Sequence, residues 1–483
     1  MTTTSRLVQL WNAWWIFPAA FLIVAAPALW NGFPLLYWDS LDYIVMPFSH
    51  VIPPFRTASY SLMMLPGVMT GTLWAPVALQ CALTVFVLYE ALNAFSPVPA
   101  RRALVPAAAL LAVFTALPWT ASQLLADAFT ALVALSAAVL AFGPALPRAR
   151  KFGLIGVIGV GVAVHTSHLA LVAGLVLALS GVVVAGRWFA ALRPLRPKVG
   201  TTAAGLLLGV ALAGSANWAV SGHFHLAQSN ALLMFARTLQ DGVGHRYLAE
   251  VCPQRPKLNG LPLRLCAVRD RLPHSANSFL WAPGPFYELG GWAEPRMKEE
   301  AAFVVQDSLK RYPLQHLRAA AALTWEQLWM IKSGDGLIGL DTIHKGERTT
   351  VKSMFMPRAI ADYYPGDLPA YWASEQRYGI DMKELNALHV AVGVLATLGL
   401  AACGVAAWRT GDHRQFGLVL VVGLAVLGNA FICGALSNPN DRYQARIVWP
   451  AVLACGLVAA RQLRLSDEVQ APAGAVVAAT AET

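Results

Sequence analysis

Charged side chains are scarce in this sequence of 483 residues. Asp, Glu, Lys and Arg together make up 13% of the chain, whereas apolar residues make up 57%. A soluble globular protein has about a quarter charged residues. The mean hydropathy of +0.53 agrees with this imbalance. The composition therefore excludes an ordinary soluble domain and predicts a protein that crosses a membrane several times.

Several short catalytic patterns are also missing. The sequence contains no GxSxG, no HExxH and no paired CxxC pattern. The glycine-rich stretch GVIGVGV lies inside an apolar run with no strand before it, so a phosphate-binding loop is not expected there.

Cysteine is rare, with six residues in the chain. Four lie in apolar runs, where a thiol acts as a small apolar filler. The remaining pair, Cys252 and Cys266, lies in a long polar segment, and an oxidising compartment would let it form a disulfide. Two free thiols are the alternative.

Apolar runs of about twenty residues recur along the chain, which is the length that a helix needs to cross a bilayer of roughly 30 Å. The sequence predicts an all-α membrane protein with ten spans. They are expected at 13–34, 73–94, 103–119, 121–143, 152–165, 167–186, 199–220, 387–408, 415–436 and 446–462.

The basic residues predict the orientation, because cytoplasmic loops collect Lys and Arg. In the ten-span arrangement most loop arginines and lysines fall on one side, including Arg101, Arg102, Arg148 and Arg409. Both termini are then cytoplasmic, in the inner (plasma) membrane of a bacterium. The net charge of +10 follows from this topology, so we expect no nucleic-acid partner.

The spans divide the chain into four parts. Residues 1–220 carry spans one to seven and a first periplasmic loop at 35–60. Residues 221–386, named here the outer segment, form a mostly helical periplasmic domain, in which Arg296 to Ile331 has the spacing of one or two amphipathic helices broken near Pro313. Residues 387–464 carry spans eight to ten, and 465–483 form a disordered cytosolic tail.

Two aspartates follow the first span closely. Asp39 and Asp42 share one face if WDSLDYI is helical, and carboxylates so placed can hold a divalent cation, Mg or Mn, or act as a base. Acidic residues at the edge of a membrane tend to face a cavity and carry function. The alternative is that Asp39 caps a short interfacial helix while Asp42 points to water.

The surroundings of these aspartates resemble the first periplasmic loop of the GT-C superfamily of membrane glycosyltransferases. The resemblance rests on Asp39, Asp42 and Tyr43, followed by Pro53, Pro54 and Arg56. It also rests on a large segment after the seventh span and on the late motif NDRYQARIVWP, which contains Arg442, Tyr443 and Arg446. The sequence departs from the adjacent acidic pair of many members, because Ser40 and Leu41 separate the two aspartates.

The resemblance implies transfer of a sugar from a polyprenyl-phosphate donor in the membrane lipid to a glycan, lipid or protein acceptor. Asp39 or Asp42 would take the proton of the acceptor hydroxyl. Arg56, Arg442 and Arg446 would bind the lipid phosphate, because a guanidinium presents paired donors, and Tyr443 belongs to the same motif. Anchoring of the neighbouring spans is the alternative role of the arginines.

Two further positions are candidates for substrate binding. Asp127 lies inside the predicted fourth span, so it would face a cavity, bind the acceptor or pair with an arginine. His165 and His168 fill the turn between spans five and six and could touch a phosphate, with a plain polar turn as the alternative.

Two other functions are alternatives. An oligosaccharide polymerase or ligase also acts on lipid-linked sugars with arginines in outer loops. A transporter or flippase would need charged or broken helices at mid-membrane, and the predicted spans other than the fourth offer very little of that.

Overall fold

The computed structural model describes residues 14–54, 56–226, 229–337 and 351–470. Helices dominate the described chain, as predicted. Its strands form one two-stranded antiparallel hairpin, β1 (Lys257–Leu258) and β2 (Leu261–Pro262).

Within the described residues, ten helices precede the outer segment. They are α1 (Ile16–Asn31), α2 (Ser40–Ser49), α3 (Tyr60–Thr70), α4 (Trp74–Phe95), α5 (Ala100–Phe114), α6 (Leu117–Ser122), α7 (Phe129–Phe142), α8 (Arg148–Val164), α9 (Thr166–Ala185) and α10 (Val199–Ser221).

The remaining helices belong to the outer segment and to the C-terminal part. In the outer segment these are α11 (Asn230–Gln240), α12 (Val243–Val251), α13 (Leu265–Val268), α14 (Ala276–Trp281), α15 (Pro285–Glu288), α16 (Pro295–Arg311), α17 (Pro313–Trp329), α18 (Val351–Tyr363) and α19 (Leu368–Ala373). The C-terminal helices are α20 (Lys383–Arg409), α21 (His413–Ala435) and α22 (Asp441–Gln470). Residues 465–470 of the predicted tail thus continue α22, and 471–483 lie outside the described residues.

Six of the described helices are long and apolar enough to cross a membrane, namely α4, α9, α10, α20, α21 and α22. The other four predicted spans coincide with the shorter helices α1, α5, α7 and α8. The chain is therefore embedded in a membrane.

The predicted spans at 103–119 and 121–143 are not continuous helices. The chain leaves the helical conformation at Thr115, forms the short α6, becomes extended at Gln123 and Leu125, and passes through a 3₁₀ turn at Ala126–Ala128. Pro118 in the first turn of α6 favours a new helix start there. The polar residues Thr120, Ser122, Gln123 and Asp127 lie in this stretch, but the prediction left only one residue between the two spans.

The break is joined to the loop after α1. The Leu35 amide donates to the Ser122 carbonyl at 3.1 Å, and the Leu124 amide donates to the Leu35 carbonyl at 2.8 Å. These bonds satisfy backbone groups that the broken helix leaves open. They also bring the loop that carries Asp39 beside the turn that carries Asp127.

Helix α7 lies at the centre of the bundle. Every residue from Phe129 to Phe142 is buried, which is typical of a helix that is apolar on all sides. It packs against α4, α8 and α21. The 3₁₀ turn that precedes α7 is thereby held deep in the protein.

The outer segment has an apolar core of its own, built from α11 to α16, and a disulfide joins Cys252 to Cys266. The predicted break near Pro313 is present, since α16 ends at Arg311 and α17 begins at Pro313. Unlike the other helices of this segment, α17 packs along α21.

Candidate functional site

Three aspartates and three arginines from three distant parts of the sequence meet in one row of alternating charge. We name it the ion-pair chain. In spatial order its members are Asp42, Arg56, Asp39, Arg442, Asp127 and Arg446.

The accessible end of the chain lies at the start of α2. Arg56 forms ion pairs with both Asp39 and Asp42, in the second case with 3.6 Å between Nε and Oδ2. Asp39 stands at the N-cap position, directly before α2, but its side chain does not cap the helix. The alternative in which Asp39 caps and Asp42 points to water is therefore wrong.

Arg442, in the first turn of α22, connects the two ends of the chain. Its Nη1 lies 3.4 Å from Asp39 Oδ2, and its Nε lies 3.2 Å from Asp127 Oδ2. One guanidinium thus holds a carboxylate from the loop after α1 and another from the break before α7.

The inner end of the chain is buried. Arg446 Nη1 lies 2.5 Å from Asp127 Oδ1, and these side chains are 1% and 2% exposed, against 15% and 18% for Asp39 and Asp42. Arg446 also donates to Asn429 Oδ1 at 3.2 Å. Arg446 is thus held in the core, where Asp127 supplies the partner that allows a guanidinium to be buried.

Tyrosine rings stack along the chain. The Arg442 guanidinium lies 4.1 Å from the Tyr37 ring centroid and 4.9 Å from that of Tyr443, whose ring is also 5.0 Å from Arg446. The Arg56 guanidinium lies 5.4 Å from the Tyr43 ring. Such faces stabilise a cation while leaving its N–H groups free to donate.

The predicted histidines lie next to the chain and outside it. His168 is buried, with Nε2 2.7 Å from Thr130 Oγ1 and Nδ1 2.8 Å from the Gly161 carbonyl. His165 Nδ1 accepts from the Ser167 amide at 3.1 Å and so caps α9. Both imidazoles therefore hold the fold together, which favours the polar-turn alternative.

A small cavity lies beside the inner end of the chain. Its lining includes Trp119, Gln123, Asp127, Asp335 and both Arg442 and Arg446. The inner members of the ion-pair chain thus line this cavity.

Asp335 is a site residue that the sequence analysis missed. It follows α17 in the turn Ser333–Leu337, and burial raises the pKa of its carboxyl while the nearby Arg442 charge opposes that rise. The polar, glycine-rich stretch KSGDG after an apolar helix was the available signal. Only the fold shows that this turn reaches the cavity.

The divalent cation predicted at Asp39 and Asp42 is a poor fit to this arrangement. Among the described residues no three His, Cys, Asp or Glu side chains are grouped in a way that could hold a metal ion. Arg56 already forms ion pairs with both carboxylates. The disulfide Cys252–Cys266 belongs to the core of the outer segment, apart from these residues.

Comparison of the chain with protein-family models, with curated proteins and with solved structures finds no match in any of the three.

Proposed function

We propose that this protein is an integral membrane glycosyltransferase, which moves a sugar from a polyprenyl-phosphate donor to an acceptor at the periplasmic face. The observation that carries the proposal is the ion-pair chain, in which partly exposed carboxylates form ion pairs with neighbouring guanidinium groups. Glycosyl transfer from a lipid phosphate needs both, a base for the acceptor and cations for the leaving group.

The burial of the three aspartates assigns their roles. Asp39 and Asp42 keep some exposure, so one of them takes the proton of the acceptor hydroxyl as its oxygen bonds to the anomeric carbon. Asp127 is closed off between two arginines and holds them in place. Asp39 is the stronger candidate, because it contacts Arg442 as well as Arg56.

The departing group is a polyprenyl phosphate. When the bond from the anomeric carbon to the phosphate oxygen breaks, the negative charge on that oxygen meets Arg56 and Arg442. Inversion at the anomeric carbon follows if the carboxylate acts as a base without forming a covalent sugar adduct. The acceptor is a glycan, a lipid or a protein of the cell envelope.

The proposal includes a topology. Ten spans place both termini in the cytoplasm of a bacterium, with the outer segment and the ion-pair chain on the periplasmic side. Six apolar helices and the distribution of basic residues support it. Single reporter fusions after Arg101, Arg148, Ser275 and Arg409 test it, and a cytoplasmic signal at Ser275 would contradict it.

Transfer of labelled sugar in reconstituted vesicles tests the activity. Synthetic polyprenyl-phosphate hexoses and pentoses serve as donors, and a bacterial envelope extract serves as acceptor. Asp39→Asn should reduce transfer at least about 100-fold, as expected for loss of a general base. Asp270→Asn, at an exposed carboxylate of the outer segment, is the matched control and should transfer normally. Full transfer in both Asp39→Asn and Asp42→Asn would remove the proposed mechanism.

Product length separates this function from that of a polymerase or ligase. Addition of one sugar supports the proposal, whereas growing chains or transferred oligosaccharides support the alternative.

One observation favours a transporter as the second candidate. Transporters often bind their substrates at broken helices and at charges that lie at membrane depth. The helix break between α5 and α7 matches the first feature, and the buried pair Asp127–Arg446 matches the second. Counterflow of a labelled sugar or sugar phosphate into vesicles would support that function, and its absence alongside sugar transfer would exclude it.

A further inference from the structure

Helix α17 carries an apolar stripe that no described part of the chain covers. Leu314, Leu317 and Trp325 are 67%, 66% and 65% exposed. With Ala321 they recur at intervals of three and four residues, so they form one side of the helix. A stripe of this kind on a soluble domain would be unfavourable in water.

The opposite side of α17 packs against α21. The contact runs along α17, which at 17 residues is about 25 Å long. It is closest at Gly434, where a Cβ atom would lie 2.4 Å from the Leu323 carbonyl oxygen. Gln327 fixes the end of the contact, because its amide donates to the Asn440 carbonyl at 2.8 Å and accepts from the Asn440 amide at 2.8 Å.

The depth of α17 follows from this packing. Helix α21 is one of the apolar helices that can cross a membrane, and a helix that lies along it shares its depth in the bilayer. On α21 itself, Leu427 and Phe431 are 53% and 47% exposed, whereas Gly434 is buried beneath α17. Exposed apolar side chains are therefore present on both of these packed helices.

We propose that α17 is embedded in the bilayer beside α21 and that Leu314, Leu317, Ala321 and Trp325 contact lipid acyl chains. The sequence assigns this helix to the outer segment, because polar residues interrupt its apolar stretch and leave it too short to be predicted as a span. Arg318 and Glu326 flank the stripe, and the long arginine side chain can carry its charge toward the polar surface of the membrane. This inference holds whether or not the protein transfers sugar.

Photo-crosslinking in lipid vesicles tests it. A diazirine-bearing phenylalanine replaces Leu317 or Trp325, one at a time, in the full-length protein reconstituted in phosphatidylcholine and phosphatidylglycerol. Leu427 is the reference position for lipid contact, and Arg271, which is exposed on the outer segment, is the reference for contact with water.

Mass spectrometry of the irradiated protein gives the outcome. We expect lipid adducts at positions 317 and 325 in yields close to that at 427 and about tenfold above that at 271, as for an apolar helix face in the acyl region. Adducts at 427 without adducts at 317 and 325 would overturn the inference. Crosslinks between two copies of the chain at these positions would also overturn it, because the stripe would then be a dimer interface.

Discussion

Arg446 and Asp127 are 319 residues apart in sequence, yet their side chains form an ion pair with 2.5 Å between Nη1 and Oδ1. Both side chains are almost completely buried. When a buried charge loses its partner, the free-energy cost of its desolvation is no longer offset. The pair therefore fixes the relative position of α22 and the break before α7.

Replacement of one partner should destabilise the protein strongly. Arg446→Gln or Asp127→Asn should each lower the free energy of unfolding by about 3–5 kcal/mol, since each leaves a buried charge with one partner fewer. Thermal unfolding in detergent measures the loss. The double variant should lose less than the sum of the two single losses, and simple additivity would show that the pair is not coupled.

Gly434 should tolerate no side chain. In Gly434→Ala the new methyl group would meet the Leu323 carbonyl, so α17 and α21 must separate and stability should fall by about 1–3 kcal/mol. Gly423→Ala on the same helix is the control, because nothing lies within 4 Å of its added Cβ. Equal unfolding temperatures for the two variants would contradict close packing of α17 on α21.

The disulfide should protect the outer segment from proteolysis. Cys252 and Cys266 are 14 residues apart, and closing a loop of about 15 residues stabilises a fold by about 3 kcal/mol. Cys252→Ser should therefore speed cleavage within the outer segment during limited proteolysis. Cys403→Ser, which alters a free thiol in α20, should leave the cleavage rate unchanged.

His245 should make the outer segment sensitive to acid. Burial and the neighbouring His274, whose ring centroid is 4.1 Å away, lower the pKa of His245. The unfolded chain, with an ordinary pKa of about 6.5, then binds a proton before the folded chain does. Stability from this group is complete above that value and is lost as the pH falls through it.

The measurement compares unfolding temperatures near neutral pH and in mild acid. His245→Gln should flatten the pH dependence, because the amide cannot gain a charge, whereas the exposed His223→Gln should leave it as in the wild type. If the unfolding temperature of His245→Gln depends on pH as in the wild type, another group is responsible for the acid sensitivity.

The sequence predicted the helices better than the contacts between them. Each of the ten predicted runs overlaps a helix, because hydropathy is a local property, although the runs at 103–119 and 121–143 extend beyond α5 and α7. The grouping of Asp39 and Asp42 with Arg56 was also within reach, since all three lie in one short loop. The burial of Arg446 could not be predicted, because its partner Asp127 is remote in sequence. From sequence alone, Arg446 next to Arg442 looks like a surface anchor.

The helix break before α7 and the packing of α17 on α21 escaped prediction because each depends on contacts between remote parts of the chain. The break is held by hydrogen bonds to Leu35, which is remote in sequence. The sequence predicted the amphipathic pattern of α17, but not the helix against which it packs.

Arg442 already forms ion pairs with two carboxylates, those of Asp39 and Asp127. An anionic ligand must therefore compete with one of them for the guanidinium. A lipid phosphate that binds Arg442 in the proposed reaction would compete with Asp39, the less enclosed of the two carboxylates, while Asp127 stays in contact. Asp39 would keep its ion pair with Arg56 during this exchange. Binding of the donor would thus change the contacts of the proposed base itself.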